Sequence, residues 1–164
     1  MKNISSKNYF VVFMVSIIVI ILTLYVRSFY ISYLESIKNS SVFSDKSVSQ
    51  MNQKDIDYVL SETSQGILYI SYTGDRKIYN MEKRLYREFE KRNVLDKVIY
   101  WNVIDDNNYI DKIKSVFPNI KTNINKAPLI IYIENGNAID VINNDDNIIS
   151  KTDVDNLLTK YEIE

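Results

Sequence analysis

No cysteine and no histidine occur in the 164 residues of this chain. Without cysteine there can be no disulfide, no thiolate nucleophile and no Cys-based zinc site. Without histidine the commonest general base and the commonest metal ligand are missing. The two absences exclude most familiar hydrolase and oxidoreductase mechanisms, so the chain is expected to be no enzyme and to hold no cofactor and no metal. Glycine (3) and proline (2) are scarce, so each marks a particular backbone event. Charge is balanced, with 20 basic and 21 acidic residues, which leaves no global field to attract nucleic acid.

What the sequence does have is one long apolar run. From Tyr9 to Val26 it reads YFVVFMVSIIVIILTLYV, uncharged and interrupted only by Ser16 and Thr23. Its eighteen helical residues rise about 27 Å, enough for a bilayer core. Tyr9 and Tyr25 bracket the run, with Phe29, Tyr30 and Tyr33 beyond it, as in an interfacial aromatic belt. A cleaved signal peptide wants small residues after a shorter run, but Arg27-Ser28-Phe29-Tyr30-Ile31 is bulky there. A core helix would carry polar residues along one face, and none are present. The reading is an uncleaved anchor in the lipid bilayer. Lys2 and Lys7 precede it, and only Arg27 follows closely, so the positive-inside bias puts the N-terminus in the cytoplasm and the rest outside.

The division expected is therefore a cytoplasmic tail over 1–8, a transmembrane anchor over 9–26, a juxtamembrane spacer over 27–50 and a folded domain over 51–164. The spacer includes SIKNSSVFSDKSVSQ, Ser-rich and without apolar periodicity, which reads as a flexible tether, with helix an open alternative near the membrane. In the domain, Asn52 is placed to cap a helix over 53–61, whose inward residues are Ile56, Val59 and Leu60. Gly66 releases the chain into a strand, Ile67–Tyr72, whose continuous apolar character predicts cover on both faces. A long helix over 75–92 carries Ile78, Met81, Leu85 and Phe89 on one stripe, with Lys83, Arg84, Arg87, Glu88, Glu90 and Lys91 as a solvated face.

A second strand spans 97–103. Asp105-Asp106-Asn107-Asn108 forms a turn and cap for a helix over 109–117, which Pro118 ends. Pro128 cannot donate to a ladder and so opens the strand Leu129–Glu134. Asn135-Gly136 joins it as a hairpin to a strand over 138–142. Ser150 with Asp153 resembles a capping box for a last helix, Lys151 to Tyr161, with Val154, Leu157, Leu158 and Tyr161 inward. The order predicts an α/β fold: a small mixed sheet with helices on both sides.

That order, with Ala127-Pro128 opening the third strand and Asn135-Gly136 after it, resembles the thioredoxin-like superfamily over residues 51–164. The anchor makes the chain similar to small bacterial accessory proteins of the bacteriocin-transport type. The resemblance implies that Pro128 is cis. It also implies that the redox Cys-x-x-Cys would stand in the window Tyr72-Thr73-Gly74-Asp75-Arg76-Lys77, which has no Cys. Thiol–disulfide exchange needs a thiolate, so such a member is redox-inactive. In the family, the groove between this window and the segment before Pro128 receives extended peptides. The candidate docking surface is accordingly Tyr72, Thr73, Gly74, Asp75, Arg76, Lys77, Ala127 and Pro128.

Three readings of function follow. The first is a membrane-anchored docking module for a protein partner in an export, bacteriocin-transport or DNA-transfer system. The second is a small-ligand or anion binder, or enzyme, using the helix start at Asp75-Arg76-Lys77; against it, Asp75 reads as a simple cap. The third is a structural membrane subunit acting through its transmembrane helix. Asn143-Asn144-Asp145-Asp146-Asn147 lacks the ligand spacing of a calcium loop and reads as a polar turn.

Overall fold

A computed structural model describes residues 6–44, 47–143, 146 and 148–163. The 1–8 tail lies largely outside them, as do parts of the spacer and of the 143–147 turn. The chain divides into two compact units between Ser36 and Ile37.

The first unit is dominated by one helix, α1 (Ser6–Asn39). Its stretch Asn8–Ser36, 29 residues, is long and apolar enough to cross a membrane. At the α-helical rise that stretch measures about 43 Å, longer than a hydrocarbon core of about 30 Å. The two polar interruptions are satisfied inside the helix. Ser16 Oγ donates to the Val12 carbonyl at 2.9 Å and Thr23 Oγ1 to the Val19 carbonyl at 2.8 Å, as an environment without water requires.

The second unit contains β1 (Ser49–Met51), α2 (Ile56–Glu62), β2 (Gln65–Ser71), α3 (Arg76–Lys91), β3 (Val98–Asn102), α4 (Tyr109–Val116), β4 (Leu129–Glu134), β5 (Asn137–Ile142) and α5 (Lys151–Lys160). The five strands form one sheet in the order β1-β3-β2-β4-β5. β1 and β2 run parallel to β3, while β4 runs antiparallel to both β2 and β5. This is the expected mixed sheet flanked by helices, with one strand more than the sequence suggested.

Period-two alternation sends Ile67 and Tyr69 of β2 to one face and Leu68 and Ile70 to the other. The first face is covered by Ile78, Met81, Leu85 and Phe89 of α3 and Val154, Leu157 and Leu158 of α5, all buried as the helical spacing predicted. The second is covered by Ile56 and Leu60 of α2 and by Ile113 and Phe117 in and after α4. A strand buried on both sides has no polar face to show, hence its unbroken apolar run.

Several expectations are corrected. The 27–50 segment is not a tether throughout. Helix α1 continues to Asn39, in line with the helical alternative near the membrane, but a 3-10 turn then forms at Val42–Ser44 and β1 pairs with β3 at the sheet edge. Phe43 is wholly buried, its ring centroid 4.6 Å from that of Tyr69, 5.7 Å from Tyr86 and 5.9 Å from Phe89. Phe43, together with Val48 in the same cluster, gives this Ser-rich stretch buried apolar contacts that a tether would lack.

Gly66 lies inside β2 rather than before it, and a Cβ there would come within 2.7 Å of Thr63 Cγ2. Asn52 makes no side-chain cap, and the first helix begins as a 3-10 turn at Gln53–Asp55. The turn before α4 contains a bond from Asn108 N–H to Asp106 Oδ1 at 3.1 Å, but Asn108 at the helix start makes no side-chain cap. Glu88, expected in solvent, is buried and 3.1 Å from Lys151 Nζ.

Other local expectations hold. Ser150 and Asp153 form the reciprocal capping box. Asn135 (φ 49°) and Gly136 (φ 75°) both take the left-handed conformations a tight two-residue hairpin needs. The Ala127–Pro128 peptide bond is cis.

Candidate functional site

β2 and β3 end side by side, and Val103 N–H donates to the Ser71 carbonyl at 2.9 Å just beyond them. From this edge β2 passes through Tyr72-Thr73-Gly74 into α3. Gly74 has φ +101°, a conformation side chains resist, so the turn depends on glycine. Asp75 is extended and caps α3, its Oδ1 accepting from Lys77 N–H at 2.6 Å and Ile78 N–H at 3.4 Å. An anion bound at this helix start would need those same donors, which the chain's own carboxylate already occupies. Arg76 and Lys77 are exposed on the first turn.

The antiparallel register, with Ile70 opposite Leu129, carries Ser71 and Tyr72 alongside Pro128 and Ala127. The start of the window 72–77 and the segment before β4 therefore lie at the same end of the sheet. Between them stands Tyr109, at the start of α4, whose hydroxyl accepts from Ala127 N–H at 2.8 Å. Burial raises the Tyr109 phenol, and the bond from Ala127 opposes that rise. Tyr72, half-buried, is also raised, first by burial and then by the charge of Asp75 and by Tyr109.

Ala127 and Pro128 themselves are buried. Their side chains form the wall of the groove rather than an open surface. Main-chain docking at Ala127 would have to displace the Tyr109 hydroxyl from a bond already made.

The open part of this end lies on the other side of Gly74. Ile104, just past β3, is 49% exposed, and a Cβ at Gly74 would sit 3.9 Å from its Cδ1. Beyond Ile104 a cleft of about 630 Å³ opens between Asn52, Lys54 and Asp55 on one side and Asn102, Asp105 and Asp106 on the other. Asn102 Oδ1 accepts from Ile104 N–H at 3.1 Å and fixes the bend that turns Ile104 outward. The rim is acidic, with three carboxylates against one ammonium group.

Among the described residues no group of three or more His, Cys, Asp or Glu is arranged to hold a metal ion. The proposed polar turn at 143–147 lies mostly outside the described residues. Sequence reasoning missed Ile104 and Tyr109. The first offered only the signal of an apolar residue stranded between a strand end and two aspartates, the second that of an aromatic at a helix start.

No protein-family model matches the sequence, and no curated protein matches it. Solved structures do share its fold. Thioredoxin f2 from Chlamydomonas reinhardtii superposes with TM-score 0.54 at 9% identity, covering 71% of this chain and 98% of that one. A second protein with a thioredoxin fold gives TM-score 0.52 at 14% identity, covering 71% and 96%. The J-Trx1 fragment of ERdj5 gives 0.52 at 14%, covering 72% of this chain and 51% of that one. Likeness at such low identity is likeness of fold: the second unit has the thioredoxin fold, and it is cysteine-free.

Proposed function

We propose that this chain is a membrane-anchored, redox-inactive thioredoxin-like docking module and no enzyme. In this reading it is an accessory subunit of a bacterial export, bacteriocin-transport or DNA-transfer system. Helix α1 is the anchor in the bilayer. Lys2 and Lys7 hold the N-terminus in the cytoplasm, so the folded unit faces outward. The observation that carries the docking role is Ile104. It is an exposed apolar side chain beside the Gly74 turn, at the end of the parallel strands where redox relatives present thiols. A central apolar anchor with a polar, charged rim is the anatomy of a protein contact site.

The working surface in this reading is Thr73, Gly74 and Ile104 with the acidic cleft next to them. Ala127 and Pro128 serve as its support. Placing a photocrosslinking residue at Thr73, at Ile104 and at Tyr58 in the full chain, in membranes of its own cell, tests this. Tyr58 is 70% exposed and shares a surface hollow with Gln65 and Lys97, at the strands' opposite end. The first two positions should give the same discrete adduct and the third none. Equal labelling from all three would overturn the assignment.

A further inference from the structure

The buried side of α3 contains two carboxylates, of which Glu88 is paired with Lys151 and Glu82 has no cation beside it among the described residues. Glu82 is 1% exposed. Its Oε2 accepts from the Ser41 hydroxyl at 2.7 Å and from Val42 N–H at 3.2 Å, and its Oε1 from the Tyr69 hydroxyl at 3.3 Å. Ser41 Oγ in turn accepts from Phe43 N–H at 3.1 Å. The segment that brings Phe43 into the core is thus tied down by one side chain from a helix some forty positions later.

Two further hydroxyls, Ser71 Oγ and Tyr100 OH, are buried close by without a hydrogen-bond partner. No cation pairs with Glu82 among the described residues. The titratable groups facing it are Tyr69 from β2 and Tyr100 from β3, both phenols raised by burial first and by the Glu82 charge as well. Both are neutral across the physiological range. From α5, Lys151 and Asp155 pair with Glu88 and Arg92 further along α3, and Asp96 and Lys97 lie beyond its end.

We propose that Glu82 is a proton-operated latch on Ser41–Phe43, the segment through which the chain enters the folded unit. Protonated, the carboxyl still accepts from Ser41 and Val42 and gains an O–H that can be donated to an unpartnered hydroxyl nearby. Ionised, it is a buried charge with no counter-ion among the described residues, and the segment opens so that water can reach the charge, the proton having passed to solvent.

The direction with pH follows. Burial raises the Glu82 carboxyl above its ordinary value, although the bonds from Ser41, Val42 and Tyr69, and the Ser71 hydroxyl dipole close by, oppose the rise. The latched state therefore binds more protons than the open one from the ordinary carboxyl range upward. Its advantage is complete below that range and is lost as pH rises through the latched value.

The test is hydrogen exchange of the full chain in phospholipid nanodiscs between pH 5 and 8, corrected for intrinsic rates, read at the Val42 and Phe43 amides. Protection should fall by up to about tenfold per pH unit inside the window, and Glu82→Gln should flatten the profile. Wild-type protection that stays level or rises with pH would overturn the latch, as would a parallel fall in the Gln variant. A carbon-13 titration of the wild-type Glu82 carboxyl needs no variant. A midpoint above the ordinary value supports the latch and one at or below it refutes it.

Discussion

Replacing Phe43 with Ala should unfold more than the residues around it. The ring is wholly buried and meets four aromatic neighbours, Tyr69, Tyr86, Phe89 and Tyr100, at centroid distances of 4.6 to 6.1 Å. Truncating a buried Phe removes its transfer free energy and leaves a cavity, together about 3–5 kcal/mol. The lost aromatic pairs lie at the upper side of that range, since each adds about 0.5–1.5 kcal/mol beyond area. Partial collapse of the neighbouring 3-10 turn would return some of it, so about 3 kcal/mol is the working figure. For a unit of this size that lowers the thermal midpoint by roughly 10 °C.

Trp101 is the sole tryptophan and lies in the core on the other face of the sheet, so its fluorescence reports unfolding of the whole unit. Urea unfolding of the full chain in mild detergent, followed at Trp101, is the assay. A midpoint shift equivalent to less than about 0.5 kcal/mol, the size of an ordinary surface substitution, would mean that Phe43 belongs to a tether after all.

Two more outcomes are expected. Tyr109→Phe leaves Ala127 N–H, a buried donor, without its acceptor. It should cost about 1–3 kcal/mol in the same urea assay, and a change near zero would show that the bond is not holding the groove shut. Charging the middle of α1 with Val19→Asp and Ile20→Asp places two carboxylates at a depth where each costs about 2.5–3.5 kcal/mol. The chain should then leave membranes on alkaline extraction, and full retention would argue that α1 is not the anchor.

The parts of the fold that could be read from sequence were those with a repeating or paired signal. The α3 stripe repeats at helical spacing, Ala127-Pro128 and Asn135-Gly136 bracket a strand, and Ser150 with Asp153 forms a reciprocal cap. β1 gave no such signal. Three residues, Ser49-Gln50-Met51, become a strand only because β3 offers an edge. Pairing supplied from elsewhere in the chain leaves no local trace.

Glu82 and Glu88 were legible in principle, since they fall on the same three-and-four spacing as Ile78, Met81, Leu85 and Phe89. Their charge argued for solvent, and only the tertiary partners, Ser41 and Tyr69 for one and Lys151 for the other, offset burial. At the site, the Asp75 cap was predictable from its place before a helix. The burial of Ala127 and Pro128 and the outward turn of Ile104 were not, because both depend on how α4 and the end of β3 lie against β2.

The most direct test of the docking account is Ile104→Asp in the full chain, followed by native electrophoresis of gently solubilised membranes from its own cell. Ile104 is half-exposed, so the urea midpoint should move by no more than about 0.5 kcal/mol. The account predicts that the wild type migrates in a discrete complex larger than itself and that the Asp variant, still folded and membrane-bound, migrates alone. A folded variant that stays in the complex, or a wild type found only by itself, would contradict it.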